Sequence, residues 1–334
     1  MLTTSLCRDF GMTAPIFSVG MGALAGPTLA AAVSNAGACG VLGRVSGAPA
    51  AHLRQQIREV RALTDKPFGV NIILATLQAE WIDICLDERV PLLVFFWGDP
   101  KPYVQDAHRR GIKVFLQVGS VEEAQAAAQA GVDGIIAQGL EAGGHVKSTT
   151  ALSTLLPAAV EAAQPVPVIA AGGIADGRGL VAALSLGAQA VSLGTRFLCS
   201  EEALAEHAYK ERVVQSTAED TVYTSLFNGG WDAPHRVLRN KAVAEWEAAG
   251  RPAPGQRPGE GTIIGTAPRG DTSMALVRYA ATSYPSLGFK GDIDYTVLYA
   301  GESCHLIHDI KPAAQIVRDM MREAEEVIEH LPRG

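Results

Sequence analysis

Residues 114–138 read VFLQVGSVEEAQAAAQAGVDGIIAQ, and this stretch decides the expected fold. Two short apolar runs, Val114–Val118 and Gly134–Ala137, flank the Ala-rich segment Val121–Ala130, whose composition is typical of a helix. Ser120 is the predicted N-cap, and the glutamate three residues later completes a capping box, since both side chains can satisfy free N–H groups of the first helical turn. The stretch therefore predicts a strand, a helix and a second strand.

The same alternation covers roughly the first 200 residues. The remaining candidate strands are Ile16–Val19, Gly40–Leu42, Phe68–Ile73, Leu92–Phe96, Val166–Ala170 and Ala190–Leu193. The remaining helical segments are Pro27–Ala36, Ala51–Leu63, Leu77–Leu86, Pro102–Arg110, Ala151–Ala163 and Gly177–Leu186. Eight strands, each followed by a helix or helix-like segment, predict a parallel sheet whose closure gives an α/β protein with a (β/α)8 TIM barrel. An open doubly wound sheet is the alternative, weakened by the lack of a GxGxxG motif after the first strand.

The pattern changes after about residue 198. Residues 200–250 have a helical composition, whereas residues 251–271 are rich in Pro and Gly and are predicted to form a loop. Pro312–His330 carries apolar residues at helical spacing and is predicted to be an amphipathic helix. The predicted domains are a barrel over 1–199, a smaller, mostly helical subdomain over the barrel mouth at 200–310, and a C-terminal helix at 311–334 that packs back on the barrel.

Composition and charge narrow the class of protein. The chain has 334 residues, is 48% hydrophobic and 19% charged, and contains 35 glycines, which is typical of a compact α/β protein. A formal net charge of −7 argues against nonspecific nucleic-acid binding, and the apolar stretch 14–42 is too interrupted to span a membrane. The N-terminus lacks a secretory signal pattern, and five scattered cysteines without a CxxC favour a reduced, cytoplasmic setting.

Polar amides occur where three predicted strands end. Asn71 and Gln117 lie near the ends of the third and fifth strands, and Gln138 follows the sixth. Because active sites of TIM barrels lie at the carboxyl ends of the strands, these amides could surround the edge of a polar heterocycle. The alternative is that each amide satisfies a loop backbone group, which is less convincing for three amides than for one.

Glycine turns follow the seventh and eighth predicted strands. The seventh runs into Gly172 and Gly173, and the eighth into Gly194 and Thr195. TIM barrels often bind a phosphate in these two loops, where glycines let backbone N–H groups approach the anion. Ordinary tight turns are the alternative, but the occurrence of both turns on the appropriate strands favours a phosphate site.

His145 is the strongest candidate for a catalytic residue. It follows the sixth predicted strand, and Gly143 and Gly144 before it would let the backbone lie against a flat ligand. Other histidines have no comparable context. The Cys304-His305…His308 cluster is too small a ligand set to predict a metal, so we expect no metal site.

Together these segments resemble the nitronate monooxygenase family, once called 2-nitropropane dioxygenases, whose relatives include FMN-dependent enoyl-acyl-carrier-protein reductases and NADH:quinone reductases. The ordered markers are Ala14–Ile16, Gly20–Gly22, Leu29–Gly37, Gly69–Asn71, Glu141–His145, Ala170–Ile174 and Leu193–Phe197. The resemblance covers nearly the whole chain. It implies a TIM barrel that binds FMN.

The resemblance also implies roles for individual residues. Contacts to the flavin ring or ribityl chain are implied for Met21, Gly22, Asn71, Gln138 and Gly143. Contacts to the FMN phosphate are implied for Gly172, Gly173, Gly194 and Thr195. Gln117 belongs to the same cofactor site but stands where many relatives carry a lysine, so the charge beside the flavin is open. His145 is implied to face the substrate, as a base toward a nitroalkane or as a hydrogen-bond donor to a nitro oxygen.

Two segments, Phe96–Pro100 and Tyr299–Ser303, resemble the monooxygenase branch more than the reductases. The implied reaction is FMN-dependent oxidation of alkyl nitronates, such as propionate 3-nitronate, by O2 to a carbonyl compound and nitrite. Two alternatives stay open: an NAD(P)H-dependent FMN reductase of an enoyl thioester or a quinone, and a barrel that binds flavin without turnover. The implied partners are the nitronate and O2, and a homodimer is one assembly state that the sequence leaves open.

Overall fold

A computed structural model describes residues 2–45, 47–269 and 272–332 of the chain. Its strands are β1 (Ile16–Ser18), β2 (Gly40–Gly43), β3 (Phe68–Ile73), β4 (Leu92–Phe96), β5 (Lys113–Val118), β6 (Gly134–Gln138), β7 (Gly144–His145), β8 (Val168–Ala171), β9 (Ala190–Leu193), β10 (Thr221–Thr224), β11 (His235–Leu238), β12 (Ile263–Arg269), β13 (Thr272–Val277) and β14 (Lys290–Gly291). Eight of them form one parallel sheet in the order β1-β9-β8-β6-β5-β4-β3-β2. A parallel bridge between Phe17 and Cys39 joins the two ends of this order. The predicted TIM barrel is therefore confirmed, and the open doubly wound sheet is excluded.

Helices surround the barrel as predicted. They are α1 (Ser5–Phe10), α2 (Pro27–Asn35), α3 (Ala50–Leu63), α4 (Ala79–Asp87), α5 (Lys101–Arg109), α6 (Val121–Gln129), α7 (Leu152–Ala163), α8 (Gly177–Ser185), α9 (Thr195–Leu198), α10 (His207–Val214), α11 (Lys241–Ala248) and α12 (Ala313–His330). Short 3₁₀ turns lie at Gly22–Leu24, Leu74–Thr76, Ala218–Asp220, Ile293–Tyr295 and Glu302–Leu306. Every predicted barrel element is present, and each boundary agrees within two residues.

Alternation along the barrel strands separates an inner layer of side chains from an outer one. Val94, Phe115 and Ile136 belong to the buried apolar cluster inside the barrel. Their neighbours Phe95 and Ile135 belong to the cluster between the strands and the surrounding helices. This arrangement follows from the two-residue pleat of a strand. A side chain two positions after an inward one therefore also points into the barrel, nearer to its carboxyl end.

The helix α1 directly precedes β1 and closes the amino end of the barrel, because its buried side chains pack against the inner layer of the strands. Its Phe10 packs inside, with its ring centroid 5.3 Å from that of Phe115, and Phe17 lies 5.8 Å from the same ring. Thr4 caps the helix by accepting a hydrogen bond from the Cys7 N–H. With the amino end filled, a ligand must enter from the carboxyl end of the strands.

The predicted capping box of α6 is confirmed only in part. The Ser120 hydroxyl accepts a hydrogen bond from the Glu123 N–H at 3.2 Å, as expected for an N-cap. The Glu123 carboxylate does not return to Ser120. It accepts from the Gly119 N–H at 2.8 Å and forms an ion pair with Lys147. Glu123 thus connects the α6 terminus to the loop that follows β7.

The segment over the barrel mouth differs from the predicted one. Residues 200–250 contain β10 and β11 as well as helices, and β12 lies entirely within the stretch 251–271 that was predicted to be a loop. The β10-β11-β7 sheet pairs this segment with residues of the barrel loop after β6. A second sheet has the order β13-β12-β14. The segment is therefore a mixture of helices and strands, which corrects the prediction that it is mostly helical.

The helix α12 packs against α8 and α2 on the outside of the barrel. Its Glu323 carboxylate accepts a hydrogen bond from the Gly177 N–H at 3.1 Å, and Met320 and Ala324 are buried. The domain boundaries after residues 199 and 310 stay a prediction. In the described ranges, every helix is too short or too polar to cross a membrane.

Candidate active site

One cavity of about 430 Å³ opens at the carboxyl ends of the barrel strands. All the residues predicted from the sequence line it, namely Met21, Gly22, Asn71, Gln117, Gln138, Gly143, His145, Gly172, Gly173, Gly194 and Thr195. Their convergence follows from strand geometry, because each lies at or just after the end of a parallel strand. The volume lies within the range of ordinary small-molecule and cofactor sites.

The three amides point into the barrel but have different partners. Asn71 donates from Nδ2 to the Val94 carbonyl at 3.1 Å. Gln138 donates to the His145 carbonyl at 3.0 Å. Gln117, two residues beyond the inward Phe115, is partly exposed where it lines the cavity. Two of the amides therefore also satisfy backbone groups, which was the alternative interpretation of these residues.

The glycines after β8 and β9 have the geometry of an anion site. Gly172 and Gly173 have φ values of 104° and 70°, a region that favours glycine. Gly194 has open space within 4 Å of where a Cβ would stand, among the described residues. The Thr195 hydroxyl accepts a hydrogen bond from the Gly301 N–H at 3.0 Å and keeps its own proton available to donate. These turns can present backbone N–H groups to a phosphate without steric obstruction.

Gly143 has a structural role that the sequence did not indicate. A Cβ at Gly143 would lie 2.3 Å from the Gly301 nitrogen, and one at Gly301 would lie 2.7 Å from the Gly143 nitrogen. The Glu302 N–H also donates to the Glu141 carbonyl at 2.9 Å. The loop after β6 and the segment around Gly301 are therefore in direct backbone contact, and this contact requires glycine at Gly143 whether or not a ligand is bound. Gly144, with a φ of 76°, has no such neighbour within 4 Å in the described ranges.

Pairing of β7 with β11 positions His145. Its backbone lies opposite His235 in the register, and the Val146 N–H donates to the Pro234 carbonyl at 3.0 Å. Gln138 supports the same backbone, because its amide oxygen accepts from the Lys147 N–H at 3.4 Å and its amide nitrogen donates to the His145 carbonyl. His145 is thus held on a short strand rather than on a free loop.

Aromatic rings enclose the His145 imidazole. It stacks on Trp231 at 3.8 Å between centroids, with Tyr299 at 5.4 Å and Trp97 at 6.5 Å. Burial, with a smaller contribution from the nearby His235, lowers the pKa of His145 to about 3. The buried Nε2 atom has no hydrogen-bond partner among the described residues. His145 therefore lines the cavity as a neutral ring with one unsatisfied nitrogen.

His235 has a different role, although it lies next to His145. Its Nδ1 is 2.9 Å from the Ala233 carbonyl and its Nε2 accepts from the Phe227 N–H at 3.1 Å, so both ring nitrogens are used. The backbone donor at Nε2 requires the neutral tautomer with its proton on Nδ1. Burial lowers the pKa of His235 to about 4. We therefore assign His235 to the support of the loop rather than to chemistry.

Several lining residues were missed by the sequence analysis. Arg44 comes from the loop after β2 and Trp81 from the helix α4, whereas Trp231 and Tyr284 come from the segment over the mouth. The Tyr284 hydroxyl accepts a hydrogen bond from the Ala23 N–H at 3.1 Å. Long-range packing brings Trp81, Trp231 and Tyr284 to the cavity, whereas Arg44 follows a predicted strand and was overlooked. The sequence offered at most the pair of glycines before Trp231 as a signal.

In the described ranges, no group of three or more His, Cys, Asp or Glu side chains is arranged so that it could hold a metal ion. The Cys304 thiol is buried and donates to the Thr217 carbonyl at 3.3 Å. Burial raises the pKa of this thiol to about 11, so it stays protonated at neutral pH.

Comparisons with known proteins agree with this geometry. A family model described as nitronate monooxygenase matches residues 4–81 and 76–323. A nitronate monooxygenase from Pseudomonas aeruginosa is 31% identical, with 96% of this chain and 99% of that protein covered. The (3aS,4S,5R,7aS)-5-hydroxy-7a-methyl-1-oxo-octahydro-1H-indene-4-carboxyl-CoA dehydrogenase of Mycobacterium tuberculosis is 37% identical, with 75% of this chain and 70% of that protein covered. The solved structure of FabK from Thermotoga maritima has a TM-score of 0.84 and 34% identity, with 99% of both chains covered.

Proposed function

Because the chain belongs to the nitronate monooxygenase family, we propose that it oxidises alkyl nitronates, such as propionate 3-nitronate, with O2 to a carbonyl compound and nitrite. Members of this family are flavin-dependent oxidoreductases, and this chain is an enzyme of that kind. The observation that carries the proposal is the enclosed His145 ring, whose Nε2 is buried and without a partner among the described residues.

FMN is the proposed cofactor, and the cavity supports it in two ways. The glycine turns after β8 and β9 can surround a phosphate, with Gly172 and Gly173 in conformations that favour glycine and Gly194 beside open space. The inward amides Asn71 and Gln117 line the same cavity, and their side chains are of the kind that a hydrogen-bonding edge of a flavin ring would need. When bound, FMN would supply the electron transfer between the nitronate and O2.

His145 would bind and orient the nitronate. A general base works best when its pKa lies near the operating pH, and the pKa of about 3 makes His145 a weak base toward a C–H group. A neutral imidazole can still donate one hydrogen bond to a nitronate oxygen. Of the two roles that the resemblance implies, we therefore favour the hydrogen-bond donor, and we expect a preformed nitronate to be a better substrate than the neutral nitroalkane.

The aromatic side chains around His145 would exclude water from the reacting group. Trp97 and Trp231 make an edge contact at 5.3 Å between centroids, and the half-buried Tyr299 lies with its ring centroid 5.4 Å from that of the histidine. A site from which water is excluded strengthens the hydrogen bond from His145 to an anionic oxygen. The same enclosure suits a small nitronate and leaves O2 free to enter, since O2 is small and apolar.

The direct test is product analysis with purified, flavin-loaded protein. With propionate 3-nitronate in air, we expect O2 to be consumed and nitrite to be released in proportion. Propyl 1-nitronate and ethyl nitronate should also react. If none of these nitronates gives nitrite above a flavin-only control, the proposed reaction is wrong.

A second candidate function is a reductase of an enoyl thioester or a quinone that uses NAD(P)H and FMN. The observation that favours it is the 37% identity to the indene-4-carboxyl-CoA dehydrogenase described above, together with the 34% identity and TM-score of 0.84 to FabK. This candidate predicts rapid loss of the flavin absorbance with NADH or NADPH. It ranks second because the family model that matches the chain is the nitronate monooxygenase model, and a relative named nitronate monooxygenase covers 96% of the chain. The coverage of 99% by FabK keeps the reductase open.

A further inference from the structure

The His145 nitrogen on which the proposed function rests is covered in this structure. The His145 ring lines the cavity, yet its Nε2 atom is buried and has no hydrogen-bond partner among the described residues. A buried nitrogen without a polar partner lies against apolar surface, which is an unfavourable environment for it. A substrate can therefore form a hydrogen bond with Nε2 only after the group that covers this atom has moved.

The Trp231 indole is the ring nearest to the His145 imidazole among the described residues. The two centroids are 3.8 Å apart and the ring planes differ by 27°. The neighbouring rings lie 5.4–6.5 Å away and belong to Tyr299, His235 and Trp97. An indole is larger than an imidazole, so a stacked indole can extend past the edge of the smaller ring. Because Trp231 also lines the cavity, it is the side chain that a ligand beside His145 would meet.

The turn that carries Trp231 allows its indole to be displaced. On one side of the turn, the Gly229 N–H donates to the Tyr279 carbonyl at 3.0 Å, which anchors the backbone. Next to Trp231, Gly230 is exposed and has a φ of 88°, with no described atom within 4 Å of where its Cβ would stand. Open space thus lies beside the turn, and the indole can shift while the anchored part of the backbone stays in place.

Trp97 makes a second ring contact with the indole. The two rings meet edge to face at 5.3 Å between centroids, with 78° between their planes. Trp97 directly follows β4 and has a φ of 60°, a left-handed conformation that bulky residues rarely adopt. Such a conformation persists only where the surrounding structure enforces it, and it occurs preferentially at functional sites. The end of β4 therefore holds the Trp97 ring against Trp231 and favours the position of the indole over His145.

We propose that Trp231 is a specificity-determining residue, which covers His145 Nε2 and admits nitronates whose reacting carbon carries a single slim chain. This inference rests on the proposed function and narrows its substrate class to primary, unbranched nitronates. A flat primary nitronate needs only a small displacement of the indole to reach Nε2. A secondary, cyclic nitronate is wider at the reacting carbon and would have to break both ring contacts of the indole, with His145 and with Trp97.

The experiment compares a slim and a wide nitronate on the flavin-loaded protein. Ethyl nitronate is primary, whereas the nitronate of nitrocyclohexane is secondary and cyclic. We expect the wild type to favour ethyl nitronate in kcat/KM, and Trp231→Ala to reduce this preference about 10-fold or more, since a pocket wall discriminates between substrate sizes on that scale. Trp231→Phe keeps a flat ring on His145 and should preserve most of the preference. The ratio between the two substrates is the readout, because a general loss of activity leaves it unchanged.

An NMR titration of His145 gives a readout that does not need turnover. Isotope-labelled histidine in the flavin-loaded protein, with the signal assigned by His145→Gln, reports whether water reaches the ring. The ionisable side chains in ring contact with it stay uncharged between pH 5 and 8, since burial lowers the pKa of His235 to about 4 and raises that of Tyr299. The wild-type signal should be constant over this range. In Trp231→Ala it should titrate, because hydration brings the pKa of His145 toward its ordinary value of about 6.5.

Trp246→Ala is the matched control for the loss of an indole. Trp246 is also half-buried, but it lies on α11 and is not among the described residues that line the cavity. This variant should keep the wild-type substrate ratio and a constant His145 signal. If Trp231→Ala loses its flavin, Trp231→Leu takes its place with the same expected direction, because leucine keeps apolar bulk but has no flat ring.

The outcomes separate the two proposals. If the wild-type protein oxidises neither nitronate, the proposed function fails, and the titration still decides whether Trp231 covers the imidazole. An unchanged substrate ratio in Trp231→Ala, or a His145 signal that stays constant in that variant, overturns the inference.

Discussion

His145 illustrates how burial changes the chemistry of a residue. Its ring lies against Trp231, and its pKa of about 3 keeps it neutral. We expect His145→Ala to lower kcat/KM for a preformed nitronate by about 10–100-fold, since a hydrogen bond to a charged group is lost. Steady-state kinetics with propionate 3-nitronate would measure this effect, and flavin content would show that the variant stays loaded.

The control for this variant is His207→Ala, because His207 is an exposed histidine that pairs with Glu211 at the surface. It should leave kcat/KM unchanged. The wild-type protein should also oxidise a nitronate faster than the matching neutral nitroalkane. An unaltered rate in His145→Ala would remove His145 from the reaction, and equal rates with both substrate forms would restore the general-base role.

The lowered pKa values of His145 and His235 also predict a dependence of stability on pH. The pKa is lowered from an ordinary 6.5 to about 3 in His145 and to about 4 in His235. Between pH 6.5 and 4 the unfolded chain binds protons at both sites whereas the folded protein does not. The free energy of unfolding therefore falls as the pH falls, by up to ~1.4 kcal/mol per pH unit for each histidine. Below about pH 3 both states are protonated and this dependence ends.

Urea unfolding at pH 7, 6 and 5 would measure this dependence. His145→Gln removes one of the two titrating groups, so its free energy of unfolding should fall less steeply with decreasing pH than that of the wild type. Parallel curves for the two proteins would show that the His145 ring is not buried enough to resist protonation.

Among the elements, the turn between β9 and α9 gives the sharpest test of the phosphate site. Gly194 has a φ of −95° and open space around its missing Cβ, so the backbone accepts a side chain there. Gly194→Asp should lose FMN, because a carboxylate would repel the phosphate. Flavin absorbance of the purified variant, relative to its protein concentration, is the measurement.

Gly194→Ala is the matched control, since it adds a methyl group without charge and should keep FMN bound. Retention of FMN by Gly194→Asp would place the phosphate elsewhere. The corresponding change at Gly173 would be less informative, because its φ of 70° makes any side chain strained and Glu141 lies 3.5 Å from the added Cβ.

The elements that the sequence predicted well are those with local signals. Each barrel strand and helix has its own apolar run or Ala-rich segment, so the boundaries agree within two residues. The strands β10 and β11 escaped prediction because long-range pairing stabilises them. The strand β11 pairs with β7, about 90 residues away in the case of His235 and His145, and β10 pairs with β11. The reason for Gly143 was also missed, since only the structure brings Gly301 against it.

In the molecule as a whole, the predicted site residues belong to the barrel. The segment over the barrel mouth, residues 200–310, covers the cavity and is called the cover below. Strand ends could be located from the sequence, which is why the predicted residues converge on one cavity. Trp231 and Tyr284 could not be located, because long-range packing positions them, whereas Arg44 directly follows a predicted strand and was overlooked. The cover is joined to the barrel at Gly143 and Gly301, where two backbones touch.

This junction carries a prediction for the whole molecule. A Cβ at Gly301 would lie 2.7 Å from the Glu141 carbonyl oxygen, so Gly301→Ala should force the cover away from the barrel. We expect a loss of about 1–3 kcal/mol in the free energy of unfolding, with weaker flavin retention. Denaturant unfolding and flavin content would test this, with Gly194→Ala as the control. Wild-type stability in Gly301→Ala would show that the junction is not tightly packed.

The central claim is that a nitronate, and not a nicotinamide, is the electron donor. Stopped-flow absorbance under anaerobic conditions tests it, with the flavin-loaded protein mixed separately with propionate 3-nitronate and with NADH or NADPH. The account predicts that the nitronate abolishes the oxidised flavin absorbance within the time of one turnover, that air restores it with release of nitrite, and that NADH and NADPH leave it unchanged over the same period. Rapid loss of the absorbance with NADH or NADPH, and none with propionate 3-nitronate or other nitronates, would contradict the account and establish the reductase instead.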